Sequence, residues 1–378
     1  MKQSSQRFRQ HHLLSILENY QGAKMPLDCF LRNYFRLNRA VGSKDRAYIC
    51  QSIYGMVRWL GLLEHFRPKN WKECLNLWLE MDPLSFLKNN TIPLYRRLSV
   101  PKFLLDKISK LYGPKIAQEI CLASKKAAPN TIRVNRLKIK RETFYESCKD
   151  KYSLELSPYS EDALYFRKKE NYFSLEEFKR GLFEIQDEGS QLVAALVKAK
   201  KQDKVLDYCC GSGGKALAFA ANMQGTGQIY LHDIRSSALL QCKKRLKRAG
   251  IQNAQILQPD AKQLKNIKKK MDWVIVDAPC SGSGTWRRNP DMLWKFNTEN
   301  LKELVGKQRL IFEKALAYCR PGAKIVYATC SIFHEENEEQ IEHFLKSYPL
   351  ELEGSQIKIL PGEKDMDGFF ALTMIKKR

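Results

Sequence analysis

A chain of 378 residues with 44% hydrophobic content can bury two or three cores, and a net charge of +24 far exceeds what solubility requires. That charge points to a polyanionic partner, most often a nucleic acid. It sits badly with a membrane protein, because no apolar run approaches the ~18 residues of a span.

The first residues, MKQSSQRFRQHH, are basic without the apolar stretch of a secretory signal. Residues 1 to about 90 read as all helical. Segments 13–20 and 27–37 repeat apolar residues at three- and four-residue steps. Ser43 is placed as the N-cap of a helix carrying Ala47, Cys50, Ile53, Tyr54, Val57, Leu60 and Leu63, closed by Pro68. Basic side chains such as Arg32, Arg36, Arg46 and Arg58 suit solvated faces or RNA equally well. No catalytic constellation stands out here.

Residues 91–184 read as a small α/β module. Pro101 opens two helices parted at Gly113-Pro114, and strands are expected at 131–134, 152–156 and 164–167, with a helix near 141–149. Arg133, Arg136, Lys138, Lys140 and Arg141, mixed with Tyr and Phe, suit a surface for an RNA backbone.

From residue 185 strand and helix signals alternate, which predicts a doubly wound, mostly parallel α/β sheet. A helix is expected at 192–197. Strands are expected at 204–207, 228–232, 254–258, 273–276 and 324–328, closed by a pair at 356–360 and 369–375. The run KKRLKR at 243–248 reads as the solvated back of the helix after the second of these strands. Eleven cysteines without CxxC spacing suit reduced thiols in a cytoplasm, with neither a disulfide framework nor a metal site.

The first strand of this region ends in Asp207, followed by Tyr208-Cys209-Cys210-Gly211-Ser212-Gly213-Gly214-Lys215. A strand, a glycine-dense turn and a helix form the usual seat of a nucleotide-like ligand. Asp233, Asp260 and Asp277 close the next strands. Asp233 is placed to bind both ribose hydroxyls, and Asp260 an adenine amino group. No second glycine fingerprint is present for a dinucleotide, so S-adenosylmethionine fits better.

Two strands of the same sheet each end in a cysteine, Pro279-Cys280 and Thr329-Cys330. Carbon 5 of a pyrimidine is a poor nucleophile until a thiolate adds at carbon 6 and turns the ring into an enamine. After methylation, carbon 5 loses its proton and the thiolate leaves. One cysteine can add while another assists release, and Asp277 can hold the cytosine edge. The residues alone leave open which cysteine attacks.

The segments DYCCGSGGK, DAPCSGSGTWRRNPD and ATCS closely resemble the RNA (cytosine-5) methyltransferases of the Sun/RsmB (NOL/Nop2/Sun) type, as do QDEGSQ at 186–191, RVN at 133–135 and DGFF at 367–370. SKDRAYICQSIYGMVRW at 43–59 is similar, more loosely, to a NusB-like RNA-binding domain. The resemblance implies a NusB-like helical domain over 1–90, an α/β RNA-binding module over 91–184 and a Rossmann-like class I methyltransferase domain over 185–378. It makes Cys330 the attacking thiolate and Cys280 the residue that helps release the product. S-adenosylmethionine contacts fall to Cys209, Cys210, Gly211, Ser212, Gly213, Gly214, Lys215, Asp233, Asp260 and Asp277, with Lys215 and Asp277 near the target base. Cys210-Gly211-Ser212 departs from the Ala-Ala-Pro of many members. The expected activity is 5-methylcytosine formation in RNA, with small-subunit ribosomal RNA favoured over transfer RNA, by a cytoplasmic monomer. The rivals are a DNA cytosine-5 methyltransferase, in which Cys280 would attack, and a non-catalytic ribosome assembly factor.

Overall fold

The computed structural model describes residues 2–23, 25–259 and 262–377, so Asp260 lies outside the described residues. The chain forms two compact units, Met1–Ala127 with Thr285–Phe296, and Ala128–Gly284 with Asn297–Arg378. The first is helical, built on Lys2–Tyr20, Leu27–Leu37, Ser43–Arg58, Leu60–His65 and Trp71–Glu80 around Leu13, Ile16, Leu31, Ile49, Ile53 and Leu63. Two details differ from expectation. Gly42, not Ser43, is the N-cap, and it makes no side-chain cap bond. The run to Leu63 is also not one helix but breaks at Trp59. There the Ser99 hydroxyl accepts the N–H groups of Gly61 and Leu62 at 2.9 and 3.4 Å, giving the new helix start the partners its first turn lacks. Helices Lys102–Tyr112 and Pro114–Ala123 meet at Gly113, whose φ of +81° only glycine adopts readily.

Thr285–Phe296 was expected to belong with the methyltransferase region, yet it packs within this helical unit. The Asp291 carboxylate accepts from Tyr20 Oη at 2.8 Å and from the Leu27 N–H at 3.2 Å, and Trp294 Nε1 donates to the Val57 carbonyl at 2.7 Å.

The second unit holds two sheets. A four-stranded antiparallel sheet has the order β2-β3-β1-β4, with β1 Asn130–Val134, β2 Leu154–Leu156, β3 Ala163–Phe166 and β4 Phe183–Ile185. Strand β4 is only three residues long, too short to show alternation in the sequence. The larger sheet runs β10-β11-β9-β8-β5-β6-β7. Its strands are β5 Lys204–Asp207, β6 Gln228–His232, β7 Ala254–Leu257, β8 Met271–Asp277, β9 Cys319–Thr329, β10 Leu350–Ile359 and β11 Phe369–Lys376. β5 to β9 pair in parallel, and the closing pair β10 and β11 is antiparallel. The middle of β8, Val274-Ile275-Val276, is fully buried, as a strand covered on both faces must be. Parallel pairing brings Asp207 level with Ile275 and Asp277 level with Ala328, so the carboxyl ends of β5, β6, β8 and β9 share one rim. That rim is where ligands of such sheets bind. No described helix is long and apolar enough to cross a membrane.

Candidate active site

The turn after β5 bends through Gly211 and Gly213, with φ of +54° and +81°, into the helix Gly214–Phe219. A Cβ at position 213 would stand 2.6 Å from Cys242 Sγ, so the close packing of this turn needs glycine there. Beside it lies a cavity of about 240 Å³ lined by Gln186, Asp207, Gly211, Lys215, Arg245 and Asp277, with Cys210, Ser212 and Gly214 also on its wall. Cys209 and Gly213 shape the turn without lining that cavity.

Asp207 counts among the four strand-end aspartates expected to mark the site, without a contact of its own, yet it has the most telling oxygen in the cradle. Its side chain is buried, and Oδ1 has no hydrogen-bond partner. Burial, then the nearby Asp277 charge, push this carboxyl well above the usual carboxylate range. An unpaired carboxyl oxygen buried on a cavity wall suits a polar ligand group that can bond to it, and S-adenosylmethionine carries amino and hydroxyl groups. Asp233 is in a different state. Its Oδ1 accepts from Arg235 N and Nε at 2.9 and 3.0 Å, and its Oδ2 from Gly211 N and Arg235 Nη2 at 2.8 and 3.0 Å. Burial works against the charge, but the Arg235 and backbone bonds outweigh it and hold this carboxyl below its ordinary range. Both oxygens are therefore occupied, and the expected ribose contact requires the exposed Arg235 guanidinium to move aside.

Two expectations about basic residues are corrected. The KKRLKR helix face is not simply solvated. Arg245 donates to Glu184 Oε2 at 3.1 Å and to Ser212 Oγ at 2.7 Å, and Arg248 reaches Glu184 Oε1 at 2.6 Å. The signal was present in the sequence: Arg245 and Arg248 adjoin the buried stripe Cys242, Leu246 and Ala249. Arg133, read as a candidate RNA contact, is buried. It donates to Gln186 Oε1 and to the Gly214 carbonyl, bracing the cradle from behind, and burial lowers its pKa to about 10. Arg136 pairs with Asp162, and Lys138 donates to the carbonyls of Arg180 and Arg248.

The structure brings together the cysteine loops. β8 and β9 stay paired beyond the last β8 residue, with Ala278 N–H donating to the Ala328 carbonyl at 2.9 Å. Cys280 Sγ and Cys330 Sγ stand 3.4 Å apart, both as free, partly exposed thiols. On the same rim Lys215 Nζ lies 2.5 Å from Asp277 Oδ2. Burial works against the Lys215 charge, but Asp277 overcomes it, with Cys330 and Asp207 adding to the effect, so the ammonium is held above its ordinary range. Cys280 keeps its proton far above the ordinary thiol range, first through its hydrogen bond with Cys330, then through burial and the charges of Cys330 and Glu336.

The DGFF segment has a structural reason. Gly368 N–H donates to the Gly284 carbonyl at 2.8 Å, and Gly284 N–H donates to the Cys330 carbonyl at 2.9 Å. A Cβ on Gly284 would stand 2.2 Å from the Gly368 carbonyl oxygen. Backbone cannot yield as a flexible side chain can. Gly284→Ala should therefore destabilise the second unit by about 2–3 kcal/mol, as overpacked sites do. Urea denaturation of the variant against the wild type checks this, and an unchanged midpoint would show that the two loops part easily.

Comparison with known proteins now bears on this geometry. A family model described as "16S rRNA methyltransferase RsmB/F" matches residues 194–375, and one described as "Methyltr_RsmF/B-like, ferredoxin-like domain" matches residues 100–172. The ribosomal RNA small subunit methyltransferase B of Vibrio vulnificus is 32% identical over 287 residues, which are 73% of this chain and 66% of that relative's length. The chain thus spans slightly under two thirds of that protein. A solved methyltransferase homologue from Pyrococcus horikoshii is 26% identical, covers 78% of this chain and 98% of its own, and superposes with a TM-score of 0.67. The crystal structure of PH0851 has the same fold over 96% of this chain and 97% of its own, with a TM-score of 0.80 at 22% identity. By the agreement of both matched segments with the sheet and the rim described above, this chain is a member of the RsmB/F methyltransferase family.

Proposed function

We propose that this protein transfers a methyl group from S-adenosylmethionine to carbon 5 of a cytosine in RNA, with small-subunit ribosomal RNA as the substrate. The observation that carries this reading is the 3.4 Å approach of Cys280 and Cys330 on the rim that also presents Asp277 and Lys215. Bound S-adenosylmethionine would supply an electrophilic methyl group from its sulfonium, leaving S-adenosylhomocysteine. The glycine turn, Asp207, Asp233, Asp260 and Asp277 hold it, with Arg245 fixing Ser212 of that turn.

Cys330, as thiolate, forms a bond to carbon 6 while Asp277 and Lys215 hold the cytosine edge and ring nitrogen 3 takes up a proton from solvent. Once carbon 5 bears the methyl group, it gives up its proton to solvent, nitrogen 3 loses the one it gained, and the carbon–sulfur bond breaks. The electron pair returns to Cys330. Cys280, which retains its proton, donates S–H to that sulfur and stabilises it as it leaves. The target base must be single-stranded or turned out of its helix to reach the rim. On this reading the protein works in the cytoplasm, as a monomer.

The test is incubation with methyl-labelled S-adenosylmethionine and, separately, small-subunit ribosomal RNA, transfer RNA and cytosine-containing DNA, followed by nucleoside analysis. Label in 5-methylcytosine from ribosomal RNA is expected. Label only in transfer RNA or DNA would replace the substrate, and no label in any of the three would favour an assembly factor.

A further inference from the structure

The mechanism above makes no use of one fully buried carboxylate beneath the two cysteines, Glu336. It lies in the short turn His334–Glu336, and its partners come from both cysteine loops. Oε1 accepts from the backbone N–H of Ser281 at 2.8 Å and from Gln308 Nε2 at 2.9 Å. Oε2 accepts from Ser281 Oγ at 2.6 Å and from Ser331 Oγ. Ser281 directly follows Cys280, and Ser331 directly follows Cys330. One carboxylate therefore ties the residue after each sulfur to a single point.

The neighbours extend the same tie. Gln308 Nε2 also donates to the Pro279 carbonyl at 3.1 Å. Asn337 Nδ2 donates to the Ser331 carbonyl at 2.9 Å, and Thr329 Oγ1 donates to Asn337 Oδ1 at 2.5 Å. A buried carboxylate is tolerated only when its lone pairs are satisfied, and four donors do that here. Such a network fixes geometry more than it adds stability, because losing one member leaves the rest unpaired.

We propose that Glu336 is a positioning residue that sets the distance and orientation between Cys280 and Cys330. This inference rests on the proposed cytosine-5 chemistry for its catalytic consequence, but not for its geometry. The carboxylate also acts through its charge, which is among the causes that keep Cys280 and Tyr327 protonated. Loss of the charge removes one of the smaller causes that hold the Cys280 proton, after its hydrogen bond with Cys330 and burial, so Cys280 ionises at somewhat lower pH, where it repels the Cys330 thiolate.

The test uses the full-length protein with Glu336→Ala, Glu336→Gln and Ser331→Ala. The first readout needs neither RNA nor cofactor. Diamide, which takes up two electrons and two protons from a pair of thiols, is added to the free protein, and the Cys280–Cys330 disulfide is timed by peptide mass spectrometry. Glu336→Ala should slow closure about tenfold or more, and Glu336→Gln, which keeps the shape, should restore most of the rate. The second readout is steady-state methylation across pH. Glu336→Ala should lose about 100-fold in kcat with KM for RNA little changed. Glu336→Gln should recover part of that loss, with its alkaline limb moved to lower pH. If Glu336→Ala does not fold, Glu336→Gln and Ser331→Ala carry both readouts. Wild-type closure rates and pH profiles in folded variants would overturn the positioning role, even with full wild-type activity. An inactive wild type with slowed closure in Glu336→Ala would instead overturn the cytosine-5 reading and leave the geometry standing.

Discussion

Cys330→Ala should abolish methyl transfer to RNA, by on the order of 10⁴-fold or more, while leaving the fold and RNA affinity close to wild type. The size of the effect follows from the chemistry. Without a sulfur at carbon 6, carbon 5 of cytosine has too little electron density to take a methyl cation equivalent. Cys280 stands 3.4 Å away, and in this variant it loses its hydrogen bond to Cys330, but burial and the Glu336 charge still favour its protonated form, so it is a poor substitute. The fold should tolerate the change because Cys330 is only partly buried, and removing one sulfur leaves little cavity. Transfer assays with matched circular dichroism and filter binding check all three statements. Retained activity in Cys330→Ala together with loss in Cys280→Ala would reverse the roles and favour the DNA-type arrangement.

Cys280→Ala should have the opposite signature: the first half of the reaction proceeds, and the second stalls. A protein–RNA complex resistant to denaturing electrophoresis should accumulate, stoichiometric with protein, while free methylated RNA appears slowly or not at all. The reason lies in the S–H that Cys280 can donate to the Cys330 sulfur 3.4 Å away. Expulsion of a thiolate is helped by a donor on the departing sulfur, and in the variant that donor is gone. Lys215 remains nearby, but its ammonium is engaged by Asp277 at 2.5 Å. Rapid product release without a complex would mean that Cys280 has no part in expulsion.

How far the sequence anticipated this arrangement depended on the range of the signal. β8 was legible because a run of fully buried apolar residues stands between Asp272 and Asp277, and β9 because AKIVYA precedes Thr329-Cys330-Ser331. From those two strands the meeting of Cys280 and Cys330 could be expected, since parallel neighbours end on the same rim. The glycine turn was legible for a similar local reason, Gly211 and Gly213 being placed where positive φ is required.

What remained illegible was long-range. Glu336 reads as one acid in the run HEENEE, and nothing within five residues shows that its partners lie at 281 and 308. Arg133 reads as one more cation in a basic chain, although it is buried against Gln186 and Gly214. Asp233 was assigned to a ribose from its place at a strand end, and its saturation by Arg235 depends on a side chain two residues on whose rotamer the sequence does not specify. The segment Thr285–Phe296 is the largest case. Its sequence continues the cysteine loop, but its packing is decided by Tyr20, Leu27 and Val57, more than 220 residues earlier.

The central claim is that Cys330, and no other residue, bonds to the base. The most direct measurement is mass spectrometry of the complex trapped by Cys280→Ala with small-subunit ribosomal RNA and S-adenosylmethionine, after digestion of both protein and RNA. The peptide containing Cys330 should carry the added mass of a methylated cytidine nucleotide, with fragmentation locating it on that sulfur. The same mass on any other residue, or a trapped complex in which the Cys330 peptide is unmodified, would contradict the account.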